Sequence, residues 1–174
     1  SSPGLYSGSG DRFSCNVEWV TYPVDSSINF SMGGYFKLYG AGGAGFDRTV
    51  KKSIRVTFRA SRGTAKIKGK DIFKDIVSKG LCSSSCANND DNEYKSLIFR
   101  AEHNNAWSTV DSINALPMTY VKDQFVRDLE RQLSGYGTRG NWAHVFFNGL
   151  YWGVYNICER PDAELETKHY PDTA

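Results

Sequence analysis

The sequence contains few of the residues that most often carry catalysis or bind metals, and it has no long hydrophobic run. Its 174 residues include three histidines, four cysteines and two methionines. No stretch of about 18 uncharged apolar residues occurs, which excludes a transmembrane helix. The Walker lysine loop, the G-x-S-x-G elbow of α/β-hydrolases and the H-E-x-x-H zinc motif are also missing. A function built on one of these motifs is therefore excluded.

What the sequence does contain favours a single domain of the α+β class. A chain of 174 residues with 40% hydrophobic and 23% charged residues has an ordinary globular composition. Its 14% aromatic residues and 17 glycines favour strands joined by tight turns. We expect an antiparallel twisted sheet packed on one main helix. Residues 1–11, with neither a basic start nor an apolar run, are predicted to be a linker or a processed terminus.

Alternating apolar residues and turn residues predict the strands of this sheet. The clearest signal is a hairpin over residues 142–158, where Asn148 and Gly149 separate two apolar and aromatic runs and suit the left-handed angles of a type I′ turn. A second hairpin is expected around the glycine cluster GAGGAG at residues 40–45. The other strands are predicted at 16–20, 35–39, 51–59 and 96–100.

Two segments have the spacing of amphipathic helices. In the first, apolar residues recur every three or four positions over residues 118–133, and charged residues fall elsewhere on the helical wheel. These apolar residues are Met118, Val121, Phe125, Leu129 and Leu133. We expect this helix to bury Phe125 and Leu129 against the sheet. The second segment, Asp71–Lys79, is predicted to be a shorter helix that turns Ile72, Phe73, Ile76 and Val77 inward.

Two of the cysteines favour an oxidising compartment. Cys82 and Cys86 flank three serines in a polar loop, where a disulfide that closes the loop is sterically easy. Four free thiols in a reducing compartment are the alternative. A zinc site is disfavoured because Cys15 and Cys158 are distant in sequence and supply no second pair of close ligands. The interpretation that we favour is a secreted or cell-surface protein.

The near-neutral net charge conceals a strongly basic segment. The whole chain has a formal net charge of +2, whereas residues 48–79 hold eleven basic and two acidic residues. Such a segment either binds phosphate or another polyanion or forms a solvated surface. Nucleic acid is a less favoured ligand, because the basic residues are not interleaved with aromatic residues that stack on bases.

Within this segment, two lysines follow the glycine cluster closely. Period-two alternation divides residues 51–59 between the two faces of a strand. One face receives Lys52, Ile54, Val56 and Phe58, and the other receives Lys51, Ser53, Arg55, Thr57 and Arg59. Lys52 either extends its amino group past the strand end or places a positive charge beside phosphates that the glycine cluster covers. A glycine-rich loop followed by a lysine is typical of the ATP site of protein kinases, although this loop does not spell G-x-G-x-x-G.

Five sequence segments, taken in order, resemble one protein family. They are KLYGAGG, KKSIRVTFR, SLIFRAEHNN, YVKDQFVRDLERQL and HVFFNGLYWGVYNICERPD, and the similarity runs from about residue 14 to residue 165. The family is that of the CotH kinases, spore-coat protein H-like proteins. The resemblance implies an atypical protein-kinase-like fold that binds ATP with a divalent metal and phosphorylates serine on secreted or coat proteins.

The resemblance also sets the expected boundaries of the domain. Residues 12–165 correspond to the N-terminal lobe and hinge of such a kinase, and residues 166–174 to a tail that leads to a C-terminal lobe absent from the chain. The family's metal-binding and catalytic aspartates are expected in that lobe. We therefore predict no catalytic and no metal-binding residue in this chain.

The function predicted from the resemblance is the nucleotide-binding portion of a secreted CotH-type kinase, which uses ATP with Mg²⁺ and is inactive by itself. Its expected partners are a secreted or coat protein substrate and the remainder of its own kinase domain. The alternative is a non-catalytic extracellular structural or adhesion module with the same fold.

Eight residues are predicted to bind the nucleotide, from this resemblance and from the basic strand. They are Gly40, Gly42, Gly43, Lys51, Lys52, Arg55, Asp123 and Glu159. Asp123, with Glu130 as the second candidate, is expected to pair with a strand lysine, as the helix carboxylate of a kinase lobe does. Glu159 and Arg160 are expected to border the cleft between the lobes or to tie it to the helix. Pro161 must end the strand before it, because proline has no N–H to donate.

Overall fold

The computed structural model describes residues 13–19, 30–39, 51–69, 72–73, 93–102, 119–134 and 137–162. These residues form a six-stranded antiparallel sheet, a short two-stranded ribbon and a helix. In chain order the strands are β1 (Phe13–Trp19), β2 (Phe30–Tyr39), β3 (Ser53–Phe58), β4 (Ile67–Lys68), β5 (Glu93–Tyr94), β6 (Ser96–Arg100), β7 (Gly140–Phe147) and β8 (Leu150–Glu159). The helix α1 (Lys122–Ser134) lies between β6 and β7 in the chain.

The strands of the sheet lie in the order β1-β2-β3-β6-β8-β7, and each is antiparallel to its neighbours. This arrangement confirms the predicted antiparallel sheet with one main helix. The remaining strands, β4 and β5, pair with each other. Because β3 begins at Ser53, both predicted site lysines, Lys51 and Lys52, precede the strand rather than lie in it.

Strand β2 begins at Phe30 rather than at the predicted Tyr35. Two glycines in its first half weaken the strand signal in the sequence. The packing requires them, because a Cβ added to Gly33 would lie 2.1 Å from the carbonyl oxygen of Arg62. Close backbone packing therefore explains why glycine occupies this part of β2, and the sequence pattern does not reveal that packing.

One face of the sheet, here called the core face, carries the hydrophobic core. The alternation of β3 places Ile54, Val56 and Phe58 on this face, and all three are buried. Other buried members are Met32, Leu38, Ile67, Ile72, Phe73, Tyr94, Leu97, Phe99, Tyr155 and Ile157. Ile72 and Phe73 are buried as predicted, whereas most of the predicted helix at 71–79 lies outside the described residues.

The hairpin of β7 and β8 forms at the predicted turn. Asn148 and Gly149 have φ angles of 51° and 80°, in the left-handed region that a type I′ turn requires. The last strand, β8, ends at Glu159, and Pro161 follows shortly after it, as predicted. The local sequence therefore determines both ends of β8.

The helix α1 packs on the opposite face of the sheet, here called the helix face, and it does so with polar residues. Gln124 and Arg131 are 6% and 3% exposed, whereas Phe125 and Leu129 are 63% and 42% exposed. The prediction that Phe125 and Leu129 pack against the sheet is therefore wrong. The reason is that the buried apolar side chains of the strands lie mainly on the core face, so α1 meets a polar surface that includes Asn156.

Several sequence predictions fall on segments outside the described residues. The glycines Gly40, Gly42 and Gly43 belong to the segment that joins β2 to β3. Cys82 and Cys86 also lie outside, so their disulfide stays a prediction. Of the described cysteines, Cys15 and Cys158 are free thiols.

Candidate functional site

Positive charges from three neighbouring strands meet on the helix face. Arg55 of β3 lies directly opposite Lys37 of β2 and Ile98 of β6. Arg100 follows Ile98 by two residues and therefore shares its face. Side chains directly opposite each other have Cβ atoms about 4.5–5.5 Å apart, and like charges in such positions repel. These three cations, Lys37, Arg55 and Arg100, are here called the basic patch, and carboxylates on the same face offset part of their repulsion.

Arg100 connects the basic patch to the helix. Its Nη2 atom lies 3.3 Å from Oδ1 of Asp123, and its Nε atom lies 3.6 Å from Oε1 of the buried Glu102. Asp123 also accepts a hydrogen bond of 3.0 Å from Nε of Arg127. The predicted site residue Asp123 is therefore held between two arginines, one from β6 and one from its own helix.

A hydrogen-bond network anchors α1 to β8 and so fixes the position of Asp123. Arg127 donates through Nη2 to Oε1 of Gln124 at 3.0 Å and to Oδ1 of Asn156. The side-chain nitrogen of Asn156 donates to the same Gln124 oxygen at 2.7 Å. Gly140 makes room for this contact, because a Cβ at that position would lie 2.1 Å from the Gln124 oxygen. Hydrogen bonds of this kind hold the helix in one register on the sheet.

The amino group of Lys51 lies near the start of α1, against β8. It donates hydrogen bonds to the hydroxyl of Tyr120 at 2.6 Å and to the carbonyl of Val154. The ring centroids of Tyr120 and Tyr155 lie 5.0 Å and 4.1 Å from Nζ. Burial lowers the pKa of Lys51 to about 8, and the negative charge of Glu102 opposes this shift. Lys51 therefore links the start of β3 to Tyr120, just before α1, and to Val154 of β8.

The predicted ion pair between a helix carboxylate and a strand lysine is not formed. Asp123 pairs with arginines, and Lys51 donates to uncharged oxygens. Lys52 precedes β3 in step with the core-face side chains, and its carbonyl accepts a hydrogen bond of 3.0 Å from the hydroxyl of Tyr155. Glu130, the second candidate, is exposed on α1. The predicted pair does not form because Lys51 and Lys52 precede β3, whereas Arg100 of β6 lies beside the helix and pairs with Asp123.

Glu159 lies on the core face, where its side chain is completely buried. Its carboxylate accepts hydrogen bonds from the backbone N–H of Arg139 at 2.6 Å, from Nε of Arg139 at 2.8 Å and from the hydroxyl of Tyr94. Burial, followed by the charge of Glu159, raises the pKa of Tyr94. The Glu159 side chain thus makes a buried structural contact with Arg139, and its contact with a nucleotide stays a prediction. Arg160 is partly exposed and pairs with Asp162 at 3.2 Å.

The part of the chain that the structure describes offers neither a metal centre nor a reactive thiol on the helix face. No group of three or more histidine, cysteine, aspartate or glutamate side chains in the described ranges could hold a metal ion. Burial raises the pKa of Cys158 to about 11, so its thiol is protonated at neutral pH. The chemistry of the described site is therefore that of cations and hydrogen-bond donors.

Two residues that organise this site are not among the eight predicted site residues. Arg100 lies within a segment that resembles the CotH family, but it was not among the predicted site residues. Tyr120 gave no signal, because its contact with Lys51 joins residues 69 positions apart. The alternation of SLIFR could have placed Arg100 on the face of Ile98, although its proximity to Arg55 requires the pairing of β3 with β6.

The fold and site define an α+β domain in which a basic sheet face is joined by an arginine–aspartate pair to a docked helix. The sequence model of one family, described as CotH kinase protein, matches residues 43–174. The match covers more than half of the chain, and the chain therefore belongs to the CotH kinase protein family. No curated protein sequence matches the chain, and no solved structure matches it. Among the described residues, no helix has the length and apolar character needed to cross a membrane.

Proposed function

We propose that this chain is the nucleotide-binding part of a CotH-type protein kinase that transfers phosphate from ATP to serine residues of a secreted or coat protein. Membership of the CotH kinase protein family supports the kinase class. The finer statements about ATP, serine and the substrate rest on the resemblance and on the chemistry of the helix face.

The observation that carries the proposal is the pair formed by Arg100 and Asp123 beside the basic patch. In protein kinases a glycine-rich loop covers the phosphates, and a basic residue on the third strand pairs with an acidic residue on the following helix. Here a glycine-rich segment joins β2 to β3, and the next strand in the sheet, β6, carries Arg100. The helix that follows in the chain carries Asp123. We therefore assign the phosphate-facing role to Arg100 and Arg55 rather than to Lys52.

The residues of the helix face fit the charge of a nucleotide phosphate chain. Lys37, Arg55 and Arg100 would supply positive charge, and the N–H groups of the segment with Gly40, Gly42 and Gly43 would donate hydrogen bonds. When bound with Mg²⁺, ATP would supply the transferable phosphoryl group. Because the described ranges contain no cluster of metal ligands, the groups that hold Mg²⁺ are to be sought outside them.

Extracellular localisation is part of the same proposal. It rests on the substrates that the resemblance implies and on the predicted Cys82–Cys86 bridge. Mass spectrometry after alkylation of the denatured chain under non-reducing conditions tests it. Two blocked and two alkylated thiols are expected, and alkylation of all four would remove the argument for an oxidising compartment.

Nucleotide binding can be tested by NMR titration of the ¹⁵N-labelled chain with ATP and Mg²⁺. We expect weak binding, with a dissociation constant on the order of a millimolar, since the described part lacks the metal ligands that neutralise the phosphate charge. Arg55→Ala and Arg100→Ala should each weaken binding about tenfold, because each removes a charge-assisted hydrogen-bond donor. Lys68→Ala is the matched control, because Lys68 is an exposed cation on β4, which is not part of the six-stranded sheet.

Two results would contradict the proposal. Equal effects of Arg100→Ala and Lys68→Ala on the dissociation constant would show that ATP binds by non-specific charge attraction. Binding that neither Arg55→Ala nor Arg100→Ala changes would exclude the helix face as the nucleotide site. Either result would favour the alternative, a non-catalytic extracellular module of the same fold.

A further inference from the structure

The helix α1 presents an apolar surface to solvent instead of to the sheet. The exposed apolar residues are Val121 at 55%, Phe125 at 63%, Val126 at 53%, Leu129 at 42% and Leu133 at 80%. An ordinary surface helix of a globular protein has the reverse arrangement, with its apolar stripe against the core. A contiguous exposed apolar surface of this kind marks a site of interaction.

The spacing of these residues makes the surface complementary to itself. Phe125, Leu129 and Leu133 are each four residues apart on α1. Val121 directly precedes the helix and continues this i±4 row, since its carbonyl accepts a hydrogen bond from the backbone N–H of Phe125. These four residues are here called the apolar ridge. Rows of this type pack against each other at interaxial angles of about −50°. A twofold rotation that makes two such helices antiparallel places Phe125 of one copy beside Leu129 of the other. The same rotation brings Val121 of each copy towards Leu133 of its partner.

The charged residues beside the apolar ridge favour the antiparallel orientation. Lys122 and Glu130 are both exposed, and they lie near opposite ends of the helix. In an antiparallel pair, Lys122 of one copy is at the same end of the interface as Glu130 of the other. In a parallel twofold pair, Lys122 of one copy and Glu130 of the other would lie at opposite ends of the interface, so this attraction would be lost.

We propose that the chain self-associates through the apolar ridge of α1 as an antiparallel, twofold-symmetric pair. A closed twofold interface of this kind uses the same surface on both copies. The ridge of a 13-residue helix buries less than the roughly 800 Å² per partner of a standard interface, so the pair is weak, with a dissociation constant on the order of 10 µM. The polar side of α1 that holds Asp123 stays on the sheet, so the pair leaves the basic patch open.

Sedimentation velocity of the full chain over concentrations from about 1 to about 200 µM tests the proposal. The weight-average mass should rise from that of the monomer to that of the dimer. Phe125→Glu should raise the dissociation constant at least tenfold, because it places two carboxylates at the centre of the interface. Phe125 is mostly exposed, so the fold should be retained, and circular dichroism verifies this. Leu150→Glu is the matched control, since Leu150 is 68% exposed on the hairpin and should leave the mass unchanged.

A charge exchange tests the antiparallel orientation separately. Lys122→Glu alone and Glu130→Lys alone should each weaken the dimer about threefold to tenfold, because each brings like charges together. The double variant Lys122→Glu with Glu130→Lys should restore the original dissociation constant. Failure of the double variant to restore it would overturn the antiparallel pair.

Other outcomes would overturn the proposal as a whole. A chain that stays monomeric up to the highest concentration would refute self-association through the apolar ridge. A dimer that is lost with Leu150→Glu and kept with Phe125→Glu places the interface on the hairpin instead. Because none of these measurements involves ATP, their failure is independent of the proposed nucleotide site.

Discussion

The two faces of the sheet use the same chemical pair, an arginine and a carboxylate, in different surroundings. On the core face, Arg139 and Glu159 are 3% and 0% exposed, and the distance from Nε to Oε1 is 2.8 Å. On the helix face, the side chains of Arg100 and Asp123 are 41% and 28% exposed, and the distance from Nη2 to Oδ1 is 3.3 Å. The buried pair has no access to solvent, whereas Arg100 is exposed enough to contact the phosphate that we propose as its ligand. Burial, rather than residue type, thus separates the structural pair from the one suited to a site.

The buried pair owes its stability to complete hydrogen bonding. Both oxygens of Glu159 accept hydrogen bonds, and the guanidinium of Arg139 also donates to Tyr94 and lies 5.3 Å from the ring centroid of Phe73. Removal of two charges from water is costly unless their lone pairs and protons are satisfied in this way. The comparison between the faces therefore predicts a large loss in the free energy of unfolding when one partner of the buried pair is removed.

The largest expected effect is that of Glu159→Ala. The variant leaves the buried guanidinium of Arg139 without its countercharge, and it should lower the free energy of unfolding by about 3–5 kcal/mol. Urea denaturation followed by tryptophan fluorescence measures this loss. Asp162→Ala is the control, because it breaks a more exposed pair with Arg160 and should cost less than about 1 kcal/mol. Similar losses in both variants would refute the distinction between buried and exposed pairs.

A smaller effect is expected when the docking of α1 is disturbed. Asn156→Ala removes a fully buried amide that bonds both Gln124 and Arg127, and it should cost about 2 kcal/mol because these partners lose their contacts. Urea denaturation measures the loss of free energy of unfolding. Relative to the native chain, the variant should show a larger increase in amide hydrogen exchange in α1 than in β3. Asn16→Ala is the control, since Asn16 makes an exposed hydrogen bond to Ser31 and its loss should cost less than about 0.5 kcal/mol.

Unchanged exchange in α1 of the Asn156→Ala protein would contradict the assigned network. The helix would then be held by something other than the hydrogen bonds of its polar side. The proposed connection from β8 through Arg127 to Asp123 would lose its support, while the basic patch itself would be unaffected.

The sheet could be predicted from local sequence because its signals are local. Alternation in KKSIRVTFR separated the buried Ile54, Val56 and Phe58 from Arg55, and Asn148 with Gly149 determined the turn. The existence of α1 could be predicted for the same reason. Its orientation could not, because that depends on which face of a distant sheet it meets. An amphipathic pattern predicts that one side of a helix is apolar, but it does not predict what that side contacts. The contact of Phe125 and Leu129 with the sheet therefore did not follow from the pattern.

The candidate site was predictable in part. The face of Arg55 and the importance of Asp123 followed from alternation and from the resemblance. Their partners did not follow, because Arg55 meets Lys37 and Ile98 through strand pairing between distant segments. The partner of Glu159 did not follow either. Alternation with Ile157 puts Glu159 on the core face, but its contact with Arg139 depends on the folded structure.

The smallest expected effect concerns Lys51, which lies at the end of the sheet and belongs to neither arginine pair. Its pKa is about 8 in the folded chain, below the ordinary value of 10.5. Between these pH values the unfolded chain therefore binds a proton that the folded chain does not. Stability must rise with pH across this window, as the cost of a half-buried ammonium disappears. Since Lys51 is partly exposed, solvent screening reduces the gain to about 1 kcal/mol or less.

The measurement is the free energy of unfolding of the native chain minus that of Lys51→Met, at several pH values from 7 to 10. The difference should rise towards pH 10, because the methionine variant lacks the titrating group and all other groups cancel. Tyr120 does not interfere, since burial raises its pKa to about 12. Lys51→Arg is the control, because an arginine stays charged throughout this range and the rise should vanish. A difference that falls with pH would mean that the charged amino group is favoured in the fold. Lys51 would then be a stabilised cation like the arginines of the helix face rather than an amino group held against two aromatic rings.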